Sequence, residues 1–109
     1  MGFRLSNQSG RLEGEKVSQM RESTIEKYGV KIAKQKGFMV VKYIDRFRNG
    51  APDRLHLGPM KDVFFVEYKA PGEKPTPVQL KYHAALRALG FEVYVIDCKA
   101  DVDELFNVV

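Results

Sequence analysis

The spacing of apolar residues predicts a helix at the start of the folded region, over residues 21–36. At 100° per residue, one arc of this helix holds Ile25, Tyr28, Gly29, Ile32 and Ala33. Gly37 supplies a helix stop signal. Gly29 costs about 1 kcal/mol relative to alanine inside a helix, so we expect a neighbouring group to approach closely there.

Three stretches rich in β-branched and aromatic residues follow and predict strands at 38–44, 53–57 and 63–69. The first two are joined by a loop over 46–52 that contains the turn dipeptide Asn49-Gly50. A hairpin connection over 58–61 leads into the third. The apolar start of this third strand predicts burial on both faces and a central place in the sheet.

The C-terminal part of the chain predicts helix, strand and helix. Thr76 is a typical N-cap, with Pro77 at the first helical position and Gly90 as the stop signal. The apolar stripe of this helix consists of Val78, Tyr82, Ala85, Leu86 and Leu89. A strand at 91–97 and a closing helix at 101–106 complete the order α-β-β-β-α-β-α, which predicts one α/β domain with a mixed central sheet flanked by helices.

Composition restricts the class of protein. The chain has 109 residues, 44% of them apolar and 29% charged, which excludes a disordered or collagen-like chain. A lone cysteine, Cys98, excludes an internal disulfide framework and indicates a reducing compartment. No apolar run is long enough to span a bilayer. The net charge of +4 permits a polyanionic partner.

Residues 1–19, polar and Gly/Ser-rich, are predicted to be a flexible arm or tag before a domain at 20–109.

The candidate chemistry lies on the third strand and the hairpin before it. Glu67 and Lys69 are two residues apart, so both point to one face, and the hairpin can bring Asp53 beside Glu67. Neighbouring carboxylates repel each other, and a divalent cation relieves the repulsion. An adjacent lysine can hold an attacking water or a developing negative charge. The set suits Mg²⁺-assisted phosphodiester hydrolysis. The alternative is a plain Glu67–Lys69 ion pair with Asp53 ending a turn.

The order of these residues resembles a known family. Pro52-Asp53 followed by Glu67-Tyr68-Lys69 matches the PD-(D/E)XK nuclease signature. The surrounding sequence is similar to the virus-type replication-repair nuclease (VRR-NUC) domain over about residues 20–106. The stretches that carry the similarity are 22–26, 50–54, 65–71, 76–79 and 89–97. The resemblance implies a restriction-endonuclease-like fold.

The resemblance also implies roles for individual residues. Asp53 and Glu67 would bind Mg²⁺ or Mn²⁺ through their carboxylates, and the backbone carbonyl of Tyr68 would add a third ligand. Lys69 would orient or activate the attacking water. Such sites are completed by a glutamate on the first helix, bound directly or through a water. Both Glu22 and Glu26 qualify, and Glu26 is preferred because it lies nearer the helix end where the strands begin.

Two residues of the second helix have competing interpretations. Gln79 follows Thr76 by three residues, which forms a capping box. The family resemblance instead places Gln79 in the catalytic set, near the metal-bound water or a phosphate, and one glutamine can do both. His83 lies one turn further on and is interpreted as a surface or packing residue outside the site.

The resemblance implies DNA as the substrate. Four basic residues near Asp53 are candidates for holding the phosphate backbone: Lys42, Arg46, Arg48 and Arg54. Stand-alone family members resemble four-way (Holliday) junction resolvases of DNA repair and act as homodimers. The candidate interfaces are Tyr82 and Leu86 on the second helix, or Tyr28 on the first. Flap or nicking activity, and a DNA-binding module with a vestigial nuclease site, are the alternatives. We expect a bacterial cytoplasmic protein of phage or prophage origin, with no membrane partner and no small-molecule cofactor.

Overall fold

A computed structural model of the protein describes residues 21–108, so the predicted arm over 1–19 lies outside the described residues. The predicted order of elements is confirmed. In chain order these are α1 (Glu22–Gln35), β1 (Met39–Lys42), β2 (Arg54–Leu57), β3 (Val63–Tyr68), α2 (Pro77–Ala88), β4 (Glu92–Ile96) and α3 (Lys99–Leu105). A 3-10 turn at Pro59–Lys61 joins β2 to β3.

The strands form one mixed sheet in the order β1-β2-β3-β4. The β1–β2 and β2–β3 pairs are antiparallel, and β3–β4 is parallel. β3 is an inner strand and is buried from Phe64 to Tyr68, as predicted. Because Arg54 is opposite Val66 in the register, the start of β2 lies beside the end of β3. The sheet thus brings Asp53 close to Glu67.

Element boundaries differ from the prediction by one or two residues. β1 is shorter than predicted because the chain leaves the sheet after Lys42, where the long loop to β2 begins. α3 begins at Lys99, two residues earlier than predicted. None of the helices within residues 21–108 is both long and apolar enough to cross a lipid bilayer.

The apolar face of α1 packs on the sheet, and Ile25, Ile32 and Ala33 are buried there as predicted. The group that approaches Gly29 is the ring of Tyr68. A Cβ atom at position 29 would lie only 2.8 Å from Tyr68 Cε1, well inside van der Waals contact. The glycine therefore lets α1 lie directly on the end of β3.

The predicted apolar stripe of α2 is wrong in part. Val78 is 52% exposed and Leu89 75% exposed, whereas His83 and Leu86 are the buried residues of the helix. The buried face follows positions 79, 83 and 86, at the spacing of one helical face. It contains polar groups because it covers the end of β3 that carries Glu67.

The candidate interface residues make contacts within the chain. Leu86 packs in a core cluster with Phe65 and Val93. The hydroxyl of Tyr28 donates a hydrogen bond to Asp103, and that of Tyr82 donates to Asp45. These side chains therefore already have partners within the chain.

A second histidine, His56, is fully buried among aromatic rings. It stacks on Phe64 with ring centroids 5.0 Å apart, and neither ring nitrogen has a hydrogen-bond partner. Burial lowers the pKa of His56 to about 4. The ring is therefore neutral at physiological pH and acts as a core residue.

Candidate active site

Two backbone contacts position Asp53 at the end of the sheet. Its amide donates to the carbonyl of Val66 at 3.0 Å, which continues the β2–β3 pairing by one residue. Its carboxylate Oδ2 accepts a hydrogen bond from the amide of Tyr68 at 2.7 Å. The side chain is thereby fixed beside the Glu67–Lys69 segment, as the sequence predicts.

Glu67 is the buried centre of the site, with only 2% of its surface exposed. Gln79 Nε2 donates to Oε2 at 3.3 Å, and Lys69 Nζ lies 3.8 Å from the same oxygen. His83 Nε2 is 3.2 Å from Oε1. Because a buried carboxylate is costly without partners, these three nitrogen-bearing groups make the position of Glu67 tenable.

Gln79 forms the predicted capping box and also contacts Glu67. The hydroxyl of Thr76 accepts from the Gln79 amide at 3.2 Å, and Gln79 Oε1 accepts from the Thr76 amide at 2.9 Å, which forms the capping box. The side-chain nitrogen remains available for Glu67. The start of α2 is therefore joined to the site by one side chain.

His83 is interpreted from the sequence as a surface or packing residue outside the site, and the structure places it in the packing next to Glu67. Its ring is fully buried and in contact with Glu67. Its spacing of four residues from Gln79 places both on the same face of α2. The spacing of Gln79 and His83 is the sequence signal for this buried face of α2. The neighbouring stripe of Val78, Tyr82, Ala85 and Leu89 is more apolar, and it therefore favours a different face in the prediction.

The two candidate glutamates of α1 have different surroundings. Glu26 Oε2 accepts a hydrogen bond from Arg54 Nε at 2.7 Å, so this carboxylate is already paired with a positive charge of the protein. Glu22 has Lys69 as its strongest charged partner, and burial raises the pKa of Glu22 above its usual value. Glu22 also has a larger electrostatic effect on Asp53 than Glu26 has. Both glutamates lie near the site, and of the two, only Glu26 forms an ion pair with an arginine of residues 21–108.

The electrostatics of the site fit a divalent cation, which the nuclease fold implies. Burial, together with the charges of Glu67 and Glu22, raises the pKa of Asp53 to about 6. Neighbouring carboxylates repel each other, and a hard cation with oxygen ligands relieves the repulsion. The residues that would hold it are Asp53, Glu67 and the carbonyl of Tyr68, with a glutamate of α1.

The predicted DNA-binding residues fall into two groups. Lys42, Arg46 and Arg48 are exposed at the end of β1 and in the loop after it. Arg54 is only partly exposed and is paired with Glu26. Its first contact is therefore with a carboxylate of the protein.

A second group of possible metal ligands lies at the β4–α3 junction, where ligand atoms of Asp97, Cys98 and Asp101 are within 4.8 Å of one another. Burial raises the pKa of Cys98 to about 11. Asp97 Oδ2 already accepts from the amide of Gly72 at 3.2 Å. The group supports the loop after β3.

The mixed sheet, with two carboxylates and a lysine at the end of its inner strands, defines a restriction-endonuclease-like nuclease. No protein-family model matches the chain. A solved structure described as "VRR_NUC domain" superposes with a TM-score of 0.75 and 34% identity, covering 80% of this chain and 95% of that one. "Putative nuclease p44" of Acyrthosiphon pisum secondary endosymbiont phage 1 is 49% identical over 78 residues, 72% of this chain and 84% of the relative. The chain belongs to the VRR-NUC family of nucleases.

Proposed function

We propose that this nuclease is a Mg²⁺- or Mn²⁺-dependent endodeoxyribonuclease that cleaves branched DNA, with the four-way junction as its preferred substrate. The observation that carries the proposal is the convergence of Asp53, Glu67 and Lys69 at one end of the sheet, with Lys69 Nζ 3.8 Å from the buried Glu67 carboxylate. Oxygen ligands beside one lysine are suited to phosphodiester hydrolysis assisted by a hard metal ion.

Each residue of the site has a defined task in this proposal. A bound divalent cation supplies Lewis-acid polarisation of the phosphate and lowers the pKa of water. Glu67 is oriented by Gln79 and His83, and Asp53 is oriented by the Tyr68 amide. Lys69 holds the attacking water or stabilises negative charge that develops on the phosphate. Hydrolysis leaves 5′-phosphate and 3′-hydroxyl ends.

The exposed basic residues support a DNA substrate. Lys42, Arg46 and Arg48 lie on the segment that leads to Asp53, where they can contact phosphates next to the cleaved bond. The net charge of +4 adds a general attraction for nucleic acid. Arg54 is paired with Glu26, so this proposal assigns the phosphate contacts to the other three basic residues.

We extend the proposal to a homodimer that acts in DNA repair or replication in the bacterial cytoplasm. Two-fold symmetry would let each subunit address one of two opposed strands of a junction. The apolar surface available for this lies on residues not used by the core, such as Val78, Leu80 and Leu89 of the second-helix segment. A phage relative supports a phage or prophage origin.

The first test is a panel of labelled four-way junction, flap, duplex and single-stranded DNA incubated with the purified protein. We expect cleavage of the junction with Mg²⁺ or Mn²⁺ and none in excess chelator, because the carboxylates cannot act without the cation. End-labelling of the products should show 5′-phosphates.

The panel also separates the alternatives. Preference for the flap or for nicked duplex would replace junction resolution with flap or nicking activity. Binding without cleavage under every metal condition would indicate a DNA-binding module with a vestigial site. Undiminished cleavage in chelator would show that the metal assignment is wrong.

The second test separates the two glutamates of α1. We expect Glu22→Gln to lower cleavage about 10- to 100-fold and to raise the Mg²⁺ concentration needed for half-maximal activity, as changes near a metal site commonly do. Glu26→Gln, the matched control on the same helix, should have a smaller effect on the Mg²⁺ dependence because Glu26 is paired with Arg54. The reverse order would restore Glu26 as the metal-site glutamate.

A further inference from the structure

The loop between β1 and β2 carries the most exposed aromatic ring of residues 21–108. Phe47 is 94% exposed, and Ile44 in the same loop is 61% exposed. A single exposed apolar residue is ordinary on protein surfaces, so exposure alone assigns Phe47 no function. The structure around the ring provides the argument.

The backbone of Phe47 is held in place by Asp45. Oδ1 of Asp45 accepts hydrogen bonds from the amides of Phe47 at 2.8 Å and Arg48 at 3.1 Å. Oδ2 accepts from the hydroxyl of Tyr82, on α2, at 2.7 Å. These bonds fix the backbone that carries the exposed ring and attach the loop to α2.

The same loop is attached to the active site at both ends. The amide of Tyr43 donates to the carbonyl of Asp53 at 3.0 Å, so the loop leaves and re-enters the sheet beside Asp53. Gly50 has φ of +92°, and a Cβ atom there would lie 2.6 Å from the carbonyl oxygen of Val78. The loop therefore lies against the first turn of the helix that carries Gln79.

Two arginines flank Phe47 in the chain, and one of them, Arg48, has Nη1 3.4 Å from Asp45 Oδ2. Arg46 and Arg48 are both exposed, and Lys42 precedes the loop. Arginines can hold phosphates while an aromatic ring stacks on a base. A continuous duplex has no free base face to offer such a ring. A branch point, where base stacking is interrupted, does have one.

We propose that Phe47 stacks on an unstacked base at the branch point of DNA, while Arg46 and Arg48 hold the flanking phosphates. This inference rests on the proposed nuclease function and deepens it, because it provides a physical means of selecting branched over linear DNA.

The test uses Lys69→Ala protein, which should bind DNA without cleaving it, and a four-way junction with 2-aminopurine at the branch point. Binding should change the 2-aminopurine fluorescence, and adding Phe47→Ala should remove that change. The ratio of duplex Kd to junction Kd should fall about tenfold, as expected for loss of one aromatic–base stack. The slope of log Kd against log salt should be retained, because a phenyl ring neutralises no phosphate. Phe47→Tyr should restore both the signal and the ratio.

The matched control is Met60→Ala. Met60 is 96% exposed but lies in the turn after β2, at the opposite end of that strand from Asp53. If Phe47→Ala behaves like Met60→Ala, the stacking role is wrong. If light scattering shows that Phe47→Ala turns a dimer into a monomer, the ring is a subunit contact and the proposal is again overturned.

The two proposals fail in different ways. Cleavage of the DNA panel by the unaltered protein, with no effect of Phe47→Ala on fluorescence or selectivity, would overturn the stacking role alone. Absence of cleavage in every substrate would overturn the nuclease proposal, whereas the fluorescence and Kd ratio would still decide whether Phe47 contacts a base.

Discussion

Replacing Lys69 with alanine should lower DNA cleavage about 10²- to 10³-fold, the usual effect of removing one group that stabilises charge in a transition state. Lys69 Nζ lies 3.8 Å from Glu67 Oε2, and its side chain is only 11% exposed, so bulk water is a poor substitute for it. The loss should fall on kcat. Single-turnover cleavage of a labelled junction measures it.

Folding and DNA affinity should be largely retained in Lys69→Ala, since Glu67 keeps its contacts with Gln79 and His83. Thermal unfolding and a gel-shift titration check both. Lys36→Ala is the matched control, because Lys36 is an exposed lysine just after α1, near the opposite end of the sheet. A wild-type cleavage rate in Lys69→Ala would show that Lys69 has no catalytic role and that its contact with Glu67 is an ordinary ion pair.

Replacing Asp53 with asparagine should make the metal-free protein more stable at neutral pH while abolishing metal-dependent cleavage. The pKa of Asp53 is raised to about 6 in the folded chain, above its unfolded value near 4. A carboxyl with a raised folded pKa destabilises the fold at pH above 6, and this cost disappears as pH falls towards 4. The variant should therefore be more stable than the unaltered protein at pH 8 and about equally stable at pH 4. Denaturant unfolding in chelator at several pH values measures the difference.

Three comparisons make this result specific. Mg²⁺ should raise the Tm of the unaltered protein but not of Asp53→Asn, because only the former binds it well. Both proteins lose stability as pH falls from about 6.5 to 4, because the fold keeps His56 neutral while the unfolded chain protonates it. This loss is the same in both and cancels in the difference. Asp45→Asn should show the opposite sign, since hydrogen bonds lower the pKa of Asp45 to about 2. A metal-free Asp53→Asn protein less stable than wild type at pH 8 would contradict the electrostatic account.

The sequence predicts the fold well where one physical requirement dominates. The core face of α1 and the central position of β3 follow directly from apolar spacing, and both are confirmed. The close approach at Gly29 was also predictable, because glycine inside a helix is costly without a reason. The identity of the approaching ring, Tyr68, was not, since it depends on how α1 lies across the sheet.

The sequence predicts which strand residues of the candidate site come together, but it predicts the helix residues less well. Asp53, Glu67 and Lys69 are brought together by strand register alone. On α2 the apolar pattern indicated the wrong buried face, because the true face is occupied by Gln79 and His83, which serve Glu67. On α1 the choice between Glu22 and Glu26 depends on the rotamer of Arg54, a tertiary contact that spacing does not encode.

The contact between Gly29 and Tyr68 has a consequence for how this chain can diverge. Any side chain at position 29 would lift α1 from the end of β3 and carry its glutamates away from Asp53, unless the residue at 68 became smaller at the same time. Descendants of this chain should therefore change the two positions together, as a pair, while the neighbouring exposed positions of α1 drift freely. The distance between α1 and β3 at the end of the sheet that carries Asp53 is therefore set jointly by the residues at positions 29 and 68.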